Sequence, residues 1–147
     1  DLYQSAIVEL ARSGQDHARL NAPDASVTVD NPLCGDRVTI DVRAGGRAVA
    51  EVGFRVRGCL LCEASGALIA RHAPQSEAAT LVSLRECIAD VLRADSVDAA
   101  QQLIEALGEP WQGLHTFLPV RGYKSRHECV LLPFEALRNV VKALAPT

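Results

Sequence analysis

The chain lacks any apolar run approaching the roughly 20 residues that a membrane-spanning helix needs, so no membrane role is expected of its 147 residues. It also lacks an excess of positive charge. With 15 Lys and Arg against 18 Asp and Glu, and a net charge of −3, a nucleic-acid-binding surface has little support. The opening residues Asp1, Leu2, Tyr3, Gln4 and Ser5 lack the basic and apolar regions of a secretory signal. The missing initiator Met points to a trimmed or processed chain. There is no internal repeat and no low-complexity tract. An even cysteine count is missing too. Five cysteines exclude a fully paired disulfide framework, and a chain of this size with a good apolar fraction does not need one. Reduced thiols in the cytoplasm are the expectation, which makes metal or sulfur chemistry the leading question.

What is present is an ordinary globular composition, 48% hydrophobic and 22% charged, that fits one compact domain over residues 1–147. Leu2, Tyr3, Ala6, Ile7, Leu10 and Ala11 fall at helical spacing, so a first helix is expected over residues 2–12. Residues 15–25 are polar and contain Pro23, which reads as a loop. The period then changes to two. Val27 and Val29 mark a short strand, and Val38, Ile40 and Val42 mark a second. After a turn at Ala44, Gly45, Gly46 and Arg47, a third strand is predicted with Ala50, Val52, Phe54 and Val56 on one face.

From Leu60 the pattern is helical through about Arg71, with Ala64, Leu68 and Ile69 as its buried stripe. Ser83 and Glu86 have the spacing of a capping box and predict a helix start there, with Cys87 in its core register. Ser96 predicts another start, and the helix is expected to stop at Gly108, Glu109 and Pro110. Residues 109–128 read as irregular. Pro133 suits the first turn of a last helix, with Phe134, Leu137, Val140, Val141 and Leu144 as its apolar face. One helix, three strands and then helices predict an α+β fold, a three-stranded antiparallel sheet with helices packed on one face.

The chemistry lies at the ends of these elements. Cys34 sits in the turn Asn31-Pro32-Leu33-Cys34-Gly35-Asp36, where Gly35 permits tight geometry and the Asp36 carboxylate can share a metal with the thiolate. The alternative for Asp36 is a turn cap. Cys59 lies where the third strand gives way to a helix, whose positive end favours thiolate. Cys129 is expected a few residues ahead of the last helix, on a looser approach segment. Three such thiolates and one carboxylate make a tetrahedral donor set, although spacing alone does not bring the loops together.

Asn31-Pro32-Leu33-Cys34-Gly35-Asp36, Gly58-Cys59-Leu60-Leu61-Cys62-Glu63-Ala64-Ser65 and Arg126-His127-Glu128-Cys129-Val130-Leu131-Leu132-Pro133 occur in the order found in the NifU/IscU/SufU scaffold family, which the chain resembles over nearly its whole length. The long interval between Cys59 and Cys129 resembles the SufU branch, with residues 80–110 as a helical insertion. Arg126 three residues before Cys129 resembles SufU as well, whereas IscU proteins place a histidine immediately before the third cysteine. The resemblance implies that Cys34, Asp36, Cys59 and Cys129 are metal ligands and that Arg126 lies nearby.

It also implies two functions. One is a scaffold whose cysteines hold iron or a nascent [2Fe–2S] cluster, with Asp36 as an exchangeable oxygen ligand. The other is a zinc-dependent sulfurtransferase that holds Zn²⁺ and accepts persulfide sulfur from a cysteine desulfurase, with Cys129 put forward as the acceptor. Recipient apoproteins or a carrier are the implied downstream partners. Cys62 reads either as a buried free thiol or as a ligand competing with Asp36. Cys59 and Cys62 as a redox pair lack a thioredoxin-like context. His127 reads either as a surface group or as a metal contact. Arg43, Arg47, Arg55 and Arg57 read as a solvated sheet face or a dock for an acidic surface.

Overall fold

A computed structural model describes residues 4–144. The first helix, α1, spans Ser5–Ser13 and buries Ile7 and Ala11; Leu2 and Tyr3, expected at its start, lie outside the described residues. Three strands follow, β1 (Ala25–Asp30), β2 (Arg37–Gly45) and β3 (Ala48–Arg57), in an antiparallel meander of order β1-β2-β3. The helices α2 (Leu60–His72), α3 (Ala78–Arg93), α4 (Val97–Ala106) and α5 (His127–Leu144) complete the chain. The expected α+β architecture is the one observed. Val38, Ile40 and Val42 are fully buried on the face of the sheet that receives α2 and α5.

The outer face is partly covered by the segment between α1 and β1. Asp41, buried in mid-strand, accepts hydrogen bonds from Arg19 Nε (2.9 Å), Arg19 Nη2 (3.0 Å), Ser26 Oγ (2.6 Å) and the Leu20 amide (3.0 Å). Burial alone would raise its pKa, but the bonds from Arg19, Ser26 and Leu20 outweigh that and hold it below the usual carboxylate value. Opposite Asp41 is Gly53, where a Cβ would collide with the Ala18 carbonyl oxygen. The crossing segment therefore sits on the sheet because that position has no side chain.

Three local expectations are corrected. In β3 the alternation slips at a bulge, because Arg43 pairs with Glu51 while Ala44 pairs with Val49. The extra residue is Ala50, which is exposed, and Val49 takes the buried place. In α3 the Ser83 and Glu86 pair is not a start. The helix begins at Ala78, and Ser83 Oγ bonds back to the Thr80 carbonyl (2.8 Å). Burial of Leu81 and Leu84 on the α5 side carries the helix through the local motif. Cys87 on α3 is half-buried rather than core.

Residues 109–128 are also more regular than expected. Successive 3₁₀ turns over Glu109–Gly122 bury Trp111, Leu114, Phe117 and Val120, and a further turn at Lys124–Arg126 runs straight into α5. Trp111 donates its indole N–H to Ser76 Oγ (2.9 Å) and meets Phe134 edge to face. The Ser96 start is observed, with the Ala99 amide bonding Ser96 Oγ (3.1 Å). The segment 80–110 is built into the core, since α3 packs against α5.

Candidate metal centre

Three element ends converge at one edge of the sheet. The first is the β1–β2 connection. The Asn31 amide bonds the Asp36 carbonyl (2.9 Å), the Gly35 amide bonds the Asn31 carbonyl (2.8 Å), and Asn31 Oδ1 accepts from the Leu33 amide (3.0 Å). Gly35 closes the turn at φ 77°, a left-handed conformation that glycine adopts without strain. The turn holds the Cys34 thiol out to solvent and folds Asp36 inward to 6% exposure. Leu33, at its tip, is 94% exposed.

The second end is the start of α2. Cys59 is the residue before the helix, in extended conformation, and Cys62 lies one turn on, inside it. Gly58 provides the space for Asp36: a Cβ on it would stand 2.6 Å from Asp36 Cγ. The third end is α5. Its helix starts at His127, so Cys129 is in the first turn and only 3% exposed, not on a loose approach segment. Pro133 correspondingly falls inside the helix. A proline there has no N–H to give the Cys129 carbonyl four residues back. The Cys62 thiol supplies the missing donor, 3.0 Å from that oxygen, and Ser65 Oγ reaches the next carbonyl, Val130 (2.9 Å). These two bonds fasten the start of α2 to the start of α5.

The donor atoms of Cys34, Asp36 and Cys129 lie within 4.8 Å of one another, and so do those of Asp36, Cys59 and Cys62. A Zn–S bond of about 2.3 Å gives a tetrahedral edge of about 3.8 Å. Each group is within a small shift of that edge, and the two groups meet at Asp36; Cys59 falls in the second group with Cys62 and not in the first with Cys34 and Cys129. Soft thiolates beside a single carboxylate suit zinc or iron, and the Gly58 gap holds that carboxylate in place. The residues fit the metal that their types imply.

The thiols are electrostatically unequal. The hydrogen bond from Cys62 is the largest influence on Cys59 and lowers its pKa to about 6, against the opposing pull of burial. Cys62 is pushed far up, first by its hydrogen bond with Cys59 and then by burial. Burial, followed by the bond and charge of Cys59, pushes Cys129 up to about 12, while Arg126 pulls it down. Proton and negative charge are thus parted, with thiolate favoured at Cys59 and thiol at Cys62.

A family model of the NifU-like N-terminal domain matches residues 2–108. The chain belongs to that family. It is 26% identical over 142 residues to the zinc-dependent sulfurtransferase SufU of Bacillus subtilis, covering 95% of this chain and 89% of that protein. It is 21% identical over 144 residues to the iron–sulfur cluster assembly scaffold protein IscU of Streptococcus pyogenes, covering 98% of this chain and 85% of that one. The crystal structure of a NifU-like N-terminal protein from Brucella abortus superposes with a TM-score of 0.82 at 28% identity, covering 97% of this chain and 94% of that one. The expected family and fold are therefore both found.

Within this NifU-like domain, Arg126 is half-buried and hydrogen-bonds to Cys129. His127 is turned away from the donors. Its Nε2 lies against the Val120 (3.2 Å) and Arg121 (3.1 Å) carbonyls and braces the entry to α5. Cys62, which the sequence left open, sits inside the donor group with no exposure, and its thiol also reaches Asp36 Oδ2 (3.3 Å). The available signal was its spacing one turn from Cys59 on a helix start. Among the described residues, no helix is long and apolar enough to cross a membrane.

Proposed function

We propose that this chain works in iron–sulfur cluster assembly, holding one thiophilic metal ion through Cys34, Asp36, Cys59 and Cys129 and receiving sulfur on Cys34 from a cysteine desulfurase. The observation that carries this reading is the convergence of Cys34, Asp36 and Cys129 within 4.8 Å while the Cys34 thiol stays exposed. Zinc is the favoured ion, because it holds thiolates deprotonated without redox chemistry of its own. The Bacillus subtilis relative, a zinc-dependent sulfurtransferase, points the same way.

The sulfur step needs only this chain's thiolate and a partner persulfide. Cys34 would give up its place at the ion as a thiolate; its Sγ attacks the terminal sulfur, a new S–S bond forms on Cys34, the persulfide S–S bond breaks, and the partner's cysteine leaves as thiolate. Cys129 loses the ground on which it was put forward as acceptor, since it is nearly fully buried in a helix. Leu33 beside Cys34 is an apolar contact for the donor protein. Arg57, which lines the same cleft, offers it positive charge, while Arg37 there is paired with Asp30 (2.7 Å). Arg126, bonded to Cys129, stabilises negative charge on the sulfur cluster.

A second reading, a scaffold holding iron or a nascent [2Fe–2S] cluster, is favoured by the cleft of 580 Å³ that opens over Cys34 and Asp36. The Streptococcus pyogenes relative, an iron–sulfur cluster assembly scaffold protein, supports it. Recipient apoproteins or a carrier in the cytoplasm then take the product. Metal analysis separates the two. One zinc per chain, a persulfide mapped to Cys34 after incubation with desulfurase and cysteine, and no visible absorption after anaerobic iron–sulfide reconstitution establish the first reading. A stable visible chromophore without bound zinc refutes it in favour of the second.

A further inference from the structure

The proposed ligand set gives Cys62 no place at the metal, although five donors are gathered where a tetrahedral ion takes four. Cys62 is wholly buried, and its sulfur is within 4.8 Å of the donor atoms of both Asp36 and Cys59. Asp36 is the member common to both donor groups, so an ion bound to Cys59 and Asp36 already lies beside Cys62. Cys59 precedes α2 and Cys62 is its third residue, a spacing that turns both toward the same end of the helix. The Cys62 sulfur lies 3.3 Å from Asp36 Oδ2, which is one of three acceptors for its single proton, alongside the Cys129 carbonyl and Cys59. Asp36 is the one hard donor among soft ones, hence the weakest partner for a thiophilic ion.

We infer that Cys62 is a reserve ligand that exchanges with Asp36, giving the centre a second, all-sulfur coordination state. In the exchange the metal–oxygen bond to Asp36 breaks and a metal–sulfur bond to Cys62 forms. The Cys62 thiol proton passes to the departing carboxylate, whose Oδ2 is 3.3 Å from the sulfur. No electron is gained or lost and no further reactant is needed. The Cys129 carbonyl gives up its sulfur donor in that state, and this loss, together with protonation of a carboxylate, opposes the exchange. The ligands are thiophilic divalent ions such as Zn²⁺, Co²⁺ and Cd²⁺. The Asp36 state suits release and the all-sulfur state retention. The inference rests on the metal reading of this site.

The test uses the full chain, loaded with Zn²⁺ for affinity by chelator competition and with Co²⁺ for the thiolate-to-metal charge-transfer band. Asp36→Ala is expected to hold zinc within a few-fold of the parent, with a Co²⁺ band at the four-thiolate level, about a third above the three-thiolate level. Cys62→Ser keeps a donor for the Cys129 carbonyl and removes the reserve thiolate; it is expected to hold zinc through Asp36 with a three-thiolate band. The double variant is expected to lose roughly 100-fold or more in affinity, well beyond the product of the single losses. If Asp36→Ala alone loses as much as the double variant and shows only three thiolates, Cys62 is a buried hydrogen-bond donor and the inference is overturned. Should Asp36→Ala fail to fold, Asp36→Asn is read in the same way. A parent chain that binds no stoichiometric zinc overturns the metal reading along with the inference. Binding by the parent without the non-additive loss overturns the inference alone.

Discussion

Replacing Gly58 with alanine adds one methyl group and asks whether the gap beneath Asp36 matters to the metal. Gly58 is not among the glycines in the left-handed region, so alanine suits the backbone and the effect is one of packing. The new Cβ would stand 2.6 Å from Asp36 Cγ, where ordinary contact begins at 3.4 Å, so the carboxylate must retreat by about 0.8 Å. Metal ligation tolerates about 0.2 Å. A displaced carboxylate also loses its bond from Cys62. Relieving the overlap costs about 1–2 kcal/mol of stability in the metal-free chain. Where no other donor can take the ligand's place, as in a Cys62→Ser background, loss of its support weakens metal binding roughly 10–100-fold, or about 1.4–2.7 kcal/mol; with Cys62 present the loss shrinks to a few-fold. Zinc affinity by competition with a chromophoric chelator, alongside thermal melting of the metal-free chain, reads both effects. In the Cys62→Ser background, a Gly58→Ala chain that melts lower but binds zinc as tightly as Cys62→Ser alone would refute the reasoning, because Asp36 would then not be held by that gap.

Asp41→Asn is expected to destabilise the fold by about 2 kcal/mol in urea denaturation, since the buried side chain loses its charge while its donors remain. The folded-state pKa of Asp41 is lowered, so its contribution is present above the ordinary carboxylate value of about 3.9 and disappears as pH falls through the lower folded value. The gap between parent and variant should therefore stay level from about pH 6 to 8 and narrow below about pH 4; a gap that widens in acid contradicts the assignment. Leu33→Asp should slow persulfide transfer to Cys34 and leave zinc stoichiometry unchanged, because the side chain is exposed beside the thiol and is not a donor; normal transfer removes the docking role. In the metal-free chain, alkylation of Cys59 should titrate with a midpoint near 6, and Cys62→Ala should move that midpoint up by removing the hydrogen bond that lowers it. Peptide mapping by mass spectrometry separates Cys59 from the exposed Cys34, and an unchanged midpoint would discount the bond.

Much of this architecture was legible because its signals are local. Alternation in Val38, Ile40 and Val42 marks a strand whose one face is buried, and Ser96 caps the helix that follows it. Cys34 and Asp36 share one turn, so their proximity needed no tertiary information. Where the reading slipped, a longer-range term outweighed a local one. Ser83 and Glu86 have capping spacing, but buried Leu81 and Leu84 keep the chain helical through them. Pro133 looked like a helix start, since only the surrounding packing shows that its missing N–H is compensated from α2. That misplacement put Cys129 outside the helix and made it look mobile. Cys62 was ambiguous because its significance depends on Asp36 and on the Cys129 carbonyl, both remote in sequence.

The pairing of Pro133 with Cys62 sets up two separable selective pressures on one position. A proline at 133 obliges position 62 to provide a hydrogen-bond donor, and serine or threonine can satisfy that demand. The proposed metal exchange would oblige it to provide a thiolate, which cysteine alone can do. Descendants that drift to serine at 62 while retaining the proline would have kept the joint and abandoned the exchange, whereas those that lose the proline yet keep the cysteine would have retained it for the metal. The residues tolerated at this position thus form a natural record of which task mattered in each lineage.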